Sequence, residues 1–75
     1  MFKVSLNHTA SSAQGGVEYT APNVFSAYRL AFAYIQIEGY IDSTFLIECN
    51  GEQMTCSKVI SRDLIKSFFQ HIVTE

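Results

Sequence analysis

The sequence predicts an α+β domain of order ββαββα, a four-stranded antiparallel sheet with two helices packed on one face. Three observations carry this expectation. Asn50-Gly51 separates two alternating runs, Ser43–Cys49 and Glu52–Ser57. Two further alternating runs precede them, at Phe2–Asn7 and Val17–Ala21. Each pair of runs is followed by a stretch with apolar residues at helical spacing behind a capping residue.

Phe2, Val4 and Leu6 point one way and Lys3, Ser5 and Asn7 the other, so the first run reads as a strand half buried on a core. His8–Gly16 is polar, small and glycine-terminated, and reads as a long mobile loop. Val17–Ala21 alternates again and pairs most simply with the first strand. Pro22 ends it. Asn23 is a good N-cap for a helix from Val24 to about Glu38, and Gly39 is expected to supply the left-handed residue that stops it. At 100° per residue, Val24, Tyr28, Ala31, Phe32 and Ile35 form the core stripe, with Phe25 at its edge.

The second hairpin is the best specified. Asn-Gly is the strongest short hairpin signal, because a type I′ turn needs φ > 0 at both central residues. With that pair at the tip, Cys49 faces Glu52, Glu48 faces Gln53, Ile47 faces Met54 and Phe45 faces Cys56. Phe45, Ile47, Cys49, Met54 and Cys56 then share a dry face, with Thr44, Glu48, Gln53, Thr55 and Ser57 on a wet one. Ser61 reads as a second N-cap, with Asp63 favourable in the first turn. The last helix, Arg62 to about Val73, is expected to bury Leu64, Ile65, Phe68 and Ile72.

Length and composition bound the function. Seventy-five residues make a single domain, 1–75, which buries only about 60–65% of its unfolded surface. The chain is 48% hydrophobic and 16% charged, where about 25% charged is typical. So apolar a composition in so small a domain implies a surface that meets another protein. The net charge is −2 and the five basic residues are scattered, which argues against direct nucleic-acid binding. The wet sheet face carries no aromatics on which bases could stack. No apolar run reaches the ~20 residues that span a bilayer, and the N-terminus lacks the apolar core of a signal peptide. The expectation is a cytoplasmic protein with no membrane contact.

The motifs exclude more than they propose. The hairpin register separates the Cα atoms of Cys49 and Cys56 by about 13 Å, beyond the ~7 Å limit of a disulfide. The same separation argues against zinc held by Cys49, Cys56, His71 and His8, since structural zinc sites bring close cysteine pairs. Two thiols on a dry face are poor nucleophiles, and neither paired carboxylates nor a Ser/His/Asp spacing is present. Gly15-Gly16 precedes a strand, not the helix N-terminus a phosphate loop needs. No cofactor, metal or catalytic role is therefore expected.

Three candidate binding surfaces remain. Helix one carries Leu30, Tyr34 and Ile37, with Ala33 among them, opposite its core stripe, so the helix is apolar most of the way round. The His8–Gly16 loop offers Ser11, Ser12 and Gln14. The hairpin edge offers Glu48 and Glu52. The expected function is a small non-catalytic inhibitor that blocks a protein partner sterically. Domains of this size without motifs are common among phage- and plasmid-encoded antagonists of host machinery, anti-CRISPR proteins included. In that class the partner would be a host nucleic-acid-targeting complex. The alternative is a homodimeric structural or accessory protein, and a small thiol or metal protein comes third.

Overall fold

The computed structural model describes residues 1–10 and 13–74. Its elements are β1 (Phe2–Ala10), β2 (Ala13–Ala21), α1 (Val24–Glu38), β3 (Thr44–Cys49), β4 (Glu52–Ser57) and α2 (Arg62–Thr74). The strands form one antiparallel sheet in the order β2-β1-β3-β4. The ββαββα reading holds.

Local chemistry sets most of these elements. Asn50 (φ 52°) and Gly51 (φ 84°) both occupy the left-handed region, so the β3–β4 turn takes the expected form and fixes the expected register. Asn23 Oδ1 accepts from the Ser26 N–H at 2.8 Å and caps α1. Ser61 Oγ accepts from the Asp63 N–H at 3.1 Å and caps α2. Each satisfies a helix N–H that would otherwise lack a partner.

The dry face of the sheet brings together Val4 and Leu6 of β1, Ala21 of β2, and Phe45, Ile47 and Cys49 of β3. α1 lies across β1 and β2 and packs against α2. Ala27, Tyr28, Ala31 and Ile35 of α1 and Ile65, Phe69 and Ile72 of α2 complete the same core. The other face shows Lys3, Ser5, Asn7, Glu18, Thr20, Glu48, Gln53 and Thr55, in cross-strand rows set by the pairing. The chain exposes 4584 Å², close to the about 4,600 Å² expected of a folded monomer of this mass. No unusual compaction therefore hides its apolar residues.

Four expectations are corrected. His8–Gly16 is not a long loop: β1 runs on to Ala10 and β2 begins at Ala13, with His8 opposite Gly15 and Asn7 opposite Gly16. Gly39 is not left-handed, with φ −78° and ψ 142°. A side chain there would meet the Ile35 carbonyl oxygen at 2.5 Å and the Phe45 ring at 2.8 Å, so close packing explains the glycine. In α2, Leu64 is 60% exposed, and Phe69 is fully buried alongside Ile65. The contact with α1 fixes the helix phase one position round from the sequence reading. In α1, Ala27 is in the core, while Phe25 is exposed and Phe32 only partly buried.

Candidate functional site

The sheet order makes β2 an edge strand, and α1 lies directly above it. Tyr19 ties the two layers: its hydroxyl donates to the Ala27 carbonyl at 2.7 Å. Burial, and secondarily the neighbouring Cys49, pushes the Tyr19 phenol well above its ordinary value, so it is a permanent donor at physiological pH.

Between the edge of β2 and the flank of α1 runs a continuous seam of three hollows that share their walls. Ser26, Arg29, Leu30 and Ala33 line the first. Val17, Tyr19, Leu30, Ala33 and Tyr34 line the second, which is almost wholly apolar. The third, of about 500 Å³, is polar and lies beside His8, Gly15, Tyr34, Glu38 and Tyr40. Val17, Leu30 and Ile37 are 39%, 48% and 76% exposed. The seam is thus a strip of uncovered apolar side chains beside an uncovered strand edge.

The polar end has its own internal order. His8 points inward, and its Nδ1 and the Tyr34 hydroxyl share a hydrogen bond at 2.8 Å. The His8 ring also packs on Phe45, centroids 5.5 Å apart. Gly15 leaves room for that ring, since a Cβ there would stand 3.1 Å from His8 Cε1. Burial, then the Glu38 carboxylate, raises the Tyr34 phenol. Tyr34 therefore works as a structural latch between α1 and β1, with its ring forming a wall of the seam.

The candidate residues divide accordingly. The structure brings Leu30 and Tyr34 together on the seam, with Ile37 exposed on the same helix. Ser11 and Ser12 lie outside the described residues. Gln14 pairs with Thr9 on the strand ladder and borders the polar hollow. Glu48 and Glu52 do not form one acidic edge. Glu48 lies on the wet face, where the Gln53 amide donates to it at 3.0 Å, whereas Glu52 stands opposite Cys49 on the other face. Sequence reasoning missed Val17 and His8 as seam residues. The alternation Leu6, His8, Ala10 would have placed His8 inward had the glycines not suggested a loop.

The two cysteines lie on adjacent strands, Cys49 on β3 and Cys56 on β4. Cys49 is buried, Cys56 is half-buried, and both are free thiols. Burial raises both above the ordinary thiol range, which disfavours the thiolate a nucleophile or metal ligand requires. Among the described residues, no three of His, Cys, Asp and Glu gather where a metal ion could sit. No helix among them is long and apolar enough to cross a membrane. Four of the five cations are occupied too. Arg29, Arg62 and Lys66 lie over the rings of Phe25, Phe32 and Tyr28, and Lys58 Nζ donates to the Gly39 carbonyl at 2.8 Å. Comparisons with family models, with curated proteins and with solved structures give no match for this chain.

Proposed function

We propose that this chain is a non-catalytic protein-binding protein that acts by covering a partner's surface along the α1–β2 seam. The observation that supports this reading is the seam itself. Leu30, Ala33 and Ile37 are exposed along one helix flank, with Val17 beside them on an unpaired nine-residue strand edge. Apolar patches of this kind mark interaction surfaces, and a bare strand edge adds main-chain hydrogen bonds to the attraction. The high-lying thiols argue in the same direction, away from thiol chemistry. Steric block of host machinery, in the manner of small phage- and plasmid-encoded antagonists, is the activity this surface suits. Its charge does not suit mimicry of nucleic acid, with seven acidic residues set against five basic ones.

The test compares tagged wild type, Leu30→Asp and Thr55→Asp as baits in a bacterial lysate. Thr55 lies on the polar face of the sheet, away from the seam. A partner retained by Thr55→Asp and lost by Leu30→Asp supports the reading. Capture indifferent to Leu30→Asp places the binding surface elsewhere and overturns it.

A further inference from the structure

We infer that, wherever no foreign partner covers it, the seam is filled by a second copy of this chain, joined edge to edge through β2 into one eight-stranded antiparallel sheet. The inference rests on the seam being a protein-binding surface and names its occupant.

The edge comes first. β2 pairs with β1 on one side only, and its register runs unbroken over nine residues. Exposed edges are normally guarded by lysine, proline or a bulge. Ala13–Ala21 has none of these, and Glu18 is its single charge.

The register is self-complementary. In an antiparallel pair about a two-fold axis, facing residues point to the same side of the sheet. The helices of both copies therefore share one face only if the axis passes through a residue and not between two. An axis through Val17 pairs the whole of Ala13–Ala21. It sets Tyr19 against Gly15 of the second copy, Glu18 against Gly16, and Thr20 against Gln14. Moving the axis to Glu18 sets like charges directly opposite, which is unfavourable, and moving it to Gly16 shortens the pairing.

The helix layer fits the same axis. Strands lie about 4.8 Å apart, so a helix centred over β1 and β2 stands about 5 Å inside the seam. Two such helices are then about 10 Å apart, at the upper end of ordinary helix packing distances. Val17 and Ala33 line the same hollow, so the axis passes beside the smallest side chain of the flank. Leu30 of one copy then runs beside Ile37 of the other. A lone extended peptide could pair with β2 but would leave Leu30 and Ile37 uncovered. A second copy covers both layers at once.

Sedimentation equilibrium of the full chain tests this with a charge swap at the axis. Wild type is expected at twice the 8.4 kDa chain mass. Val17→Lys alone and Val17→Glu alone are each expected to fall to the single-chain mass, because like charges meet at the two-fold. An equimolar mixture of the two is expected to return to the doubled mass, which an unfolded variant could not do. A wild type that stays at the single-chain mass at high concentration overturns the inference but leaves foreign partners for the seam. Single variants that remain doubled, or a mixture that stays single, overturn the Val17-centred pairing.

Discussion

Gly39→Ala should destabilise the protein, although its backbone angles are open to any residue. At such a position a glycine-to-alanine change ordinarily stabilises by about 0.4–1 kcal/mol, through the lost freedom of the unfolded chain. Here the added Cβ would stand 2.5 Å from the Ile35 carbonyl oxygen and 2.8 and 3.1 Å from two carbons of the Phe45 ring. Neither neighbour can give way easily. The Ile35 oxygen already accepts the Gly39 N–H at 3.1 Å, and Lys58 Nζ holds the Gly39 carbonyl. Phe45 is fully buried, with the His8 and Tyr34 rings against it. Overpacking of this kind costs about 1–3 kcal/mol, which outweighs the entropic gain. The net loss of about 1–2 kcal/mol lowers Tm by roughly 5–15 °C in a domain of this size. Thermal and urea melts followed by circular dichroism measure it. Combining Gly39→Ala with Phe45→Leu should recover part of the loss relative to the two single changes. A Gly39→Ala protein as stable as wild type would refute the reasoning.

Three further outcomes follow from the same contacts. Phe69→Ala should cost about 3–5 kcal/mol because Phe69 is fully buried, whereas Leu64→Ala at an exposed site should stay within about 0.5 kcal/mol; equal urea midpoints for the two would contradict the phase of α2. Tyr34→Phe removes the partner of the buried His8 ring and should cost about 1–3 kcal/mol, visible as a lower urea midpoint; an unchanged midpoint would mean the latch carries no stability. Burial raises Cys49, Cys56, Tyr19 and Tyr34, so each holds its proton more tightly folded than unfolded. That stability is complete below the ordinary values of 9.0 for the thiols and 10.0 for the phenols, and is lost as pH rises past them. The urea midpoint should fall through that range, with a shallower slope in Cys49→Ala, and a midpoint rising with pH would reverse the sign of the argument.

Elements specified by near neighbours could be read from the sequence. The Asn50-Gly51 turn, the Asn23 and Ser61 caps and the alternation of β3 and β4 each depend on residues a few positions apart. What could not be read depends on contacts across the fold. Gly15 makes room for His8 and Gly39 for Phe45, so both glycines looked like chain breaks when they are close approaches. Leu64 and Phe69 lie within one apolar arc, and only the packing of α2 against α1 decides which is buried. Leu30, Tyr34 and Ile37 stood out on the helix wheel. Their neighbour Val17 did not, because that β2 is an edge follows from strand order alone.

The strand order β2-β1-β3-β4 also shapes how the chain reaches its fold. Among the described residues, β1–β2 and β3–β4 are hairpins between neighbours in sequence, and β1–β3 is the one strand pairing between the two halves. Each hairpin can zip locally within microseconds, so the entropy of closing a long loop is met in one event, when Val4–Thr9 docks on Thr44–Cys49. That docking joins the halves of the dry face and lets α1 and α2 meet over it. The sheet is thus two sequence-local ribbons joined by a single long-range pairing, and until that pairing forms the bare edge of β2 is presented without the rest of the domain behind it.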